Sequence, residues 1–132
     1  MDKKLSIIVF GGTGFIGSHV ADHLSDLGHN VCIFDKDLSP WLRKDQEMII
    51  GDLLDIDKVN ECVKGSDIVY NFAALADLNE ALHQPLKTVQ INILGNTHVL
   101  EACRIHKVKR FIYASTVYVN SREGGFYRCS KQ

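Results

Sequence analysis

No stretch of about 18 apolar residues occurs in the chain, so a helix crossing a membrane is not expected. Charge of neither sign is in excess: Lys plus Arg number 15, Asp plus Glu 16, and the net charge is −1. Such a balance gives no bulk attraction for nucleic acid or an anionic membrane surface. The four cysteines, Cys32, Cys62, Cys103 and Cys129, lie far apart without a C-x-x-C pair. Neither a disulfide framework nor a clustered metal site is read from them, and a reduced, cytoplasmic setting is expected. Internal repeats and low-complexity segments are missing. The opening Met1-Asp2-Lys3-Lys4 and the apolar run from Leu5 to Phe10 lack the length and cleavage site of a signal peptide. At 132 residues the chain can bury the core of one domain but cannot hold a large two-domain enzyme. Its 45% apolar and 23% charged residues are ordinary globular values, which excludes disorder or coiled coil as a description of the whole.

What the chain does contain is an alternation of short apolar runs and helical patterns. Leu5 to Phe10 reads as a strand buried on both faces, as in a parallel sheet. A helix follows over residues 14–27, with Ile16, Val20, Leu24 and Leu27 recurring on one face and Gly28 placed to end it. Val31 to Phe34, Met48 to Ile50, Ile68 to Phe72 and Phe111 to Ala114 are the next four strands. Residues 37–45 form a loop or short helix, and residues 57–64 a helix with Val59, Cys62 and Val63 inward. Pro85 suits the first turn of a long helix to about His106, whose apolar side is Val89, Ile93, Val99, Leu100 and Cys103. The alternation predicts an α/β fold, a doubly wound parallel sheet of about five strands in the order 3-2-1-4-5.

Gly11-Gly12-Thr13-Gly14-Phe15-Ile16-Gly17 falls between the first strand and the first helix. Glycine is needed here because the turn is tight, because the backbone must approach a pyrophosphate, and because the helix must pack closely on the strand. The helix N-terminus then offers free N–H groups and partial positive charge to the phosphates. Asp35 ends the second strand, where an acid accepts from a ribose 2′-hydroxyl and repels a 2′-phosphate. That favours NAD over NADP, with Lys36 beside the acid pulling slightly the other way. A P-loop is excluded, because G-x-x-x-x-G-K-[ST] does not occur.

Six motifs in order resemble the extended short-chain dehydrogenase/reductase family, the NAD-dependent epimerase/dehydratase group, whose fold is of the Rossmann type. They are the glycines at 11, 14 and 17; Gly51-Asp52-Leu53; Asn71-Phe72-Ala73-Ala74, with Asn where His is usual; Asn92-Ile93-Leu94-Gly95-Asn96-Thr97; Phe111-Ile112-Tyr113-Ala114-Ser115-Thr116; and Tyr127-Arg128-Cys129-Ser130-Lys131. The resemblance implies a cofactor held by Gly11, Thr13, Gly14, Phe15, Ile16, Gly17, Asp35, Lys36, Asp52, Leu53, Ala73, Ala74 and Asn92. It also implies a catalytic group of Tyr127, Lys131 and a hydroxyl from Thr116 or Ser115. The implied substrate is a small molecule, a nucleotide sugar, and the implied parent is a homodimer paired through the exposed side of its long helix. For the chain by itself the oligomeric state stays open.

Tyr127 and Lys131 are four apart and share a helix face. A tyrosine titrating at about 10 is a poor base at neutral pH. A neighbouring ammonium is expected to lower it, so that Tyr127 exchanges a proton with a substrate hydroxyl while hydride passes to or from the nicotinamide. Thr116-Val117-Tyr118-Val119 is compressed relative to the family and lacks its glycine, which leaves Ser115 and Thr116 as alternatives. The chain ends one residue after Lys131. It is read as the N-terminal part of a longer enzyme, the cofactor domain over residues 1–132, truncated before the substrate domain. An isolated helix needs about 12–15 residues to be marginal in water. The segment after about Ser121 is therefore expected to be poorly ordered or packed in a non-native way.

No metal site is read. His19 and His23 are i and i+4, but Val20 stands where a zinc motif wants Glu. Lys107, Lys109 and Arg110 read as a solvated turn. Two further readings stand beside the first: a non-catalytic dinucleotide-binding module or sensor, and a reductase of the same fold acting on a non-sugar carbonyl compound.

Overall fold

The computed structural model describes residues 3–132. Five strands, β1 (Ser6–Phe10), β2 (Asn30–Asp35), β3 (Gln46–Ile50), β4 (Ile68–Asn71) and β5 (Arg110–Tyr113), form one parallel sheet in the order β3-β2-β1-β4-β5. β1 lies at the centre, with Val9 opposite Ile33 on one side and Tyr70 on the other. Successive side chains of a strand point to opposite faces. Ile8, Phe10, Phe34 and Val69 accordingly meet Val59, Val63, Val99 and Ala102 on one face. Ile7, Val9, Val31 and Ile33 meet Ala21 and Leu24 on the other. This two-sided burial is what the nearly continuous apolar runs imply.

Helix α1 (Phe15–Asp26) connects β1 to β2, and α2 (Ile56–Val63) connects β3 to β4 with Val59 and Val63 buried. Residues 36–45 cross from β2 to β3 as a loop, tied to α1 by Arg43. Its Nη1 meets Asp26 Oδ1 at 2.7 Å, and its Nη2 meets Asp45 Oδ2 at 2.9 Å.

The buried face of α1 differs from the expected one. Leu24 is buried and Val20 packs against the core as expected, but Ile16 and Leu27 are 59% and 60% exposed, and Gly17, Ser18, Ala21 and Ser25 are buried instead. The helix presents small residues to the sheet because it starts in contact with the loop above it; close approach, not side-chain bulk, sets the face. After β4 come α3 (Leu78–His83) and α4 (Pro85–Thr88), which continues through a π-helical segment (Val89–Gly95) into α5 (Asn96–Ile105). Here too the expected side is displaced. Val99 and Cys103 are buried as expected, but Val89, Ile93 and Leu100 are exposed, and Thr88, Asn92, Gly95 and Ala102 are buried in their place. The reason is again local: Asn92 finds buried hydrogen-bond partners, and Gly95 admits Leu53, which a Cβ would approach to 3.0 Å.

The C-terminal segment overturns the expectation of disorder. A 3-10 turn (Val117–Asn120) leads into α6 (Gly125–Lys131), with Ser130 and Lys131 buried. Most helical stability in proteins comes from tertiary packing, and a short helix forms where such packing exists. Arg128 Nη1 donates to the Ser121 carbonyl at 2.7 Å, Gln132 Nε2 to Val119 at 3.0 Å, and Lys131 Nζ to Ala114 at 3.1 Å.

Candidate active site at the C-terminal ends of the strands

Gly11 leaves β1 with φ of +74°, in the left-handed region. A Cβ there would lie 2.6 Å from the Ala73 nitrogen, so the position needs glycine on both counts. Gly11 N donates to the Phe34 carbonyl at 2.9 Å and Gly14 N to the Gly11 carbonyl at 3.2 Å. The loop thereby closes over the ends of β1 and β2. At Gly17 a Cβ would collide with the Gly11 carbonyl, so only a bare Cα lets α1 begin directly against the loop. Gly14 is the N-cap of α1 and no side chain caps the first turn. The leading N–H groups are left for an external acceptor, and the helix dipole adds positive charge. This uncapped, glycine-lined cradle fits a pyrophosphate. Phe15 and Ile16 stand exposed at its mouth.

Asp35 closes β2. Its Oδ2 accepts from Thr13 N at 3.0 Å and its Oδ1 from Lys36 N at 2.8 Å. Thr13 Oγ1 donates to the Asp37 carbonyl at 3.1 Å. The carboxylate ties the glycine loop to the end of β2 and keeps acceptor capacity for a further donor, such as a ribose hydroxyl. Lys36 extends into solvent. Beyond β3, Asp52 is exposed and accepts from Leu54 N at 2.9 Å, while Leu53 is buried. Ala73 and Ala74 follow β4, half-buried, and Ala73 N donates to Asn71 Oδ1 at 3.1 Å.

Asn92 does not open onto this cradle. Its Oδ1 accepts from Leu75 N at 2.8 Å, and its Nδ2 donates to the Leu75 carbonyl at 3.0 Å and to Ser130 Oγ at 2.8 Å. With 2% of its surface exposed, it supports the site from behind.

α6 brings Tyr127 to the end of β5. Its phenol lies near the Thr116 side chain, whose hydroxyl accepts from Tyr118 N at 3.4 Å, whereas Ser115 is exposed to solvent. Burial pushes the Tyr127 phenol above its ordinary value, with the nearby Thr116 hydroxyl working against it and Tyr118 adding to it. The ammonium effect expected from the four-residue spacing does not operate here. Lys131 Nζ instead donates to the Ala114 carbonyl and lies 4.4 Å from the centre of the Tyr113 ring. Burial pulls Lys131 down to about 8, because a desolvated ammonium loses hydration. Tyr127 and Lys131 share a helix turn, but the Lys131 ammonium is engaged elsewhere.

The motifs name Asn71 and Asn92 but not the partners through which they support these groups, nor Ser130 as one of them. Asn71 is fully buried at the end of β4 and donates through Nδ2 to Asn96 Oδ1 at 2.8 Å. Ser130 carries the contact from α6 to Asn92. The available signal was polar residues placed where the strand and helix patterns call for apolar ones.

A parallel sheet in the order β3-β2-β1-β4-β5, with a glycine cradle over its centre and an acid ending β2, defines a Rossmann-type domain. The chain belongs to the NAD dependent epimerase/dehydratase family, whose pattern matches residues 7–126. It is 32% identical over 123 residues to a dTDP-D-glucose 4,6-dehydratase of Dictyostelium discoideum, covering 83% of this chain and 28% of that protein. To a 2-alkyl-3-oxoalkanoate reductase of Stenotrophomonas maltophilia it is 34% identical over 122 residues, covering 89% and 35%. The crystal structure of a UDP-glucose 4-epimerase from Brucella ovis in complex with NAD superposes with a TM-score of 0.87 at 26% identity, covering 96% of this chain and 44% of that one. The chain thus spans about a third of the length of these two curated relatives. Among the described residues no helix is long and apolar enough to cross a membrane.

Proposed function

We propose that these 132 residues are the NAD-binding part of a longer oxidoreductase that acts on a nucleotide sugar as an epimerase or dehydratase. The observation that carries the reading is the uncapped start of α1 beneath a loop in which Gly11 and Gly17 leave no room for a side chain, with Asp35 beside it. In this reading the first turn of α1 holds the pyrophosphate. Asp35 takes the adenosine ribose and disfavours a 2′-phosphate, so NAD is preferred to NADP. Asp52 and Leu53 border the adenine, and Ala73 and Ala74 line the path to the nicotinamide end. NAD, when bound, supplies the hydride acceptor.

Thr116 and Tyr127 flank the reacting oxygen of the substrate. With its pKa held up by burial, Tyr127 is a phenol at neutral pH, the form that would protonate the alkoxide when hydride returns to a substrate carbonyl; in the direction in which the substrate is oxidised it would first have to lose that proton and take the one on the substrate hydroxyl. To act as base it needs a positive charge beside it, which Lys131 supplies only after leaving the Ala114 carbonyl. In this reading Lys131 also bonds the nicotinamide ribose. The substrate class rests on the named relatives, and the reductase among them supports a non-sugar carbonyl substrate as the second reading. A binding module without turnover is the third, favoured by the engagement of the Lys131 ammonium with the Ala114 carbonyl. The exposed apolar residues Leu86, Val89, Ile93 and Leu100 on the long helix support pairing with a second copy. Four unpaired cysteines support a cytoplasmic setting.

The test is Tyr127→Phe in the full-length enzyme. Turnover should fall by about a thousandfold, the scale of a lost acid–base group, with NAD affinity unchanged. Undiminished turnover would remove Tyr127 from the chemistry.

A further inference from the structure

α6 has seven residues and enters from two left-handed glycines, Gly124 and Gly125, with no side-chain cap. A helix this short cannot hold its own shape in water. Of the bonds that dock it, those of Arg128 and Gln132 reach neighbouring backbone at the surface. The bond from Ser130 to Asn92 is different. It is fully buried, and it joins α6 to the π-helical segment, 38 residues away in sequence.

Every polar atom in this link is used. The Ser130 hydroxyl donates to the Tyr127 carbonyl at 2.7 Å and accepts from Asn92 Nδ2 at 2.8 Å. Asn92 uses both amide hydrogens and its oxygen, the other two bonds going to the backbone of Leu75. Ser130, Asn92 and Leu75 are exposed by only 6%, 2% and 6%. Buried networks of this kind fix geometry when complete and are costly when one member is removed. Leu75 in turn follows Ala73, the residue against which Gly11 packs. The chain of contacts therefore runs from the glycine loop, through the segment after β4 and Asn92, to the turn that carries Tyr127 and Lys131.

We propose that Ser130 is a positioning residue, which fixes the turn bearing Tyr127 and Lys131 to Asn92 and through it to the cofactor side of the site. The importance of that turn rests on the function proposed above; the mechanical link does not.

The test uses this chain with Ser130→Ala and Ser130→Thr, read by amide hydrogen exchange and by the NMR titration of Lys131. In Ser130→Ala, exchange of the Tyr127 to Lys131 amides should rise by about tenfold, as for one lost buried hydrogen bond. Exchange in β1 and β4 should not change. The Lys131 titration should move from about 8 towards the ordinary 10.5 as the turn loosens. Ser130→Thr keeps the hydroxyl and should restore both. Unchanged exchange and titration in Ser130→Ala would overturn the proposal. So would an equal rise in β1 and β4, which would make Ser130 a general packing residue. Calorimetric titration of the unsubstituted chain with NAD⁺ separates the two claims: absence of binding counts against the function, while the exchange result still decides the role of Ser130.

Discussion

The loop at residues 11–17 and the helix α6 stand at the same end of the sheet, yet they are held there by different means. The loop is fixed by backbone. Main-chain bonds join it to Phe34 and close its turn, Asp35 grips it through the Thr13 N–H, and at Gly11 and Gly17 another stretch of backbone passes too closely for a side chain. α6 is fixed by side chains reaching from a helix too short to stand alone: Ser130 to Asn92, Lys131 to Ala114, Arg128 to Ser121. A site built on backbone geometry tolerates almost no added atom. One built on side-chain bonds can be loosened one bond at a time without unfolding the sheet.

The sharpest break between the two regions should come from Gly17→Ala. The added methyl meets the Gly11 carbonyl and has nowhere to go, because α1 is pinned by the sheet below. Overpacking of this kind costs roughly 3 kcal/mol. Urea unfolding should show that loss, and NAD binding should vanish with it. Stability within about 0.5 kcal/mol of the parent chain, the range of neutral surface changes, would mean that the loop shifts freely and is not the rigid half.

A smaller effect should come from Lys131→Met, and it should depend on pH. Lys131 titrates at about 8 in the folded chain against 10.5 when free, so between these values the unfolded chain binds more protons. Stability from this group therefore rises with pH through that window, by about 1 kcal/mol between pH 8 and 9. Above 9 the buried thiols act in the opposite sense. Burial lifts Cys32 and Cys103 to about 11 and Cys62 to about 12, so the folded chain is then the one that holds protons. Unfolding free energies at pH 7.5, 8, 8.5 and 9 should give a wild-type slope more positive than that of the Met variant. Parallel slopes would show that Lys131 is hydrated and α6 undocked.

The same contrast explains what could be read from the residues. Strands buried on both faces announce themselves as unbroken apolar runs, and right-handed crossovers then leave the order 3-2-1-4-5. The glycine loop was legible because steric exclusion is written in residue type. The buried faces of α1 and of the long helix were legible only in part, at Leu24, Val99 and Cys103. Apolar periodicity selects Ile16, Leu27, Val89 and Ile93, while the molecule buries Gly17, Ala21, Thr88 and Asn92. Close approach and satisfied amides outweighed bulk. For α6, helix length argued for disorder, but length says nothing about partners 38 residues distant. The Tyr127 and Lys131 spacing was legible, and the direction of the Lys131 ammonium was not, because the carbonyl that receives it belongs to the end of β5.

The most direct measurement is calorimetric titration of the chain and of Asp35→Ala with NAD⁺ and NADP⁺. The account predicts that the chain binds NAD⁺ in preference to NADP⁺. In Asp35→Ala, NAD⁺ affinity should drop by about tenfold, as for one lost charge-assisted hydrogen bond, and the preference should shrink. Failure of the folded chain to bind either dinucleotide would contradict the account, and a preference that survives Asp35→Ala would take the ribose role away from that residue.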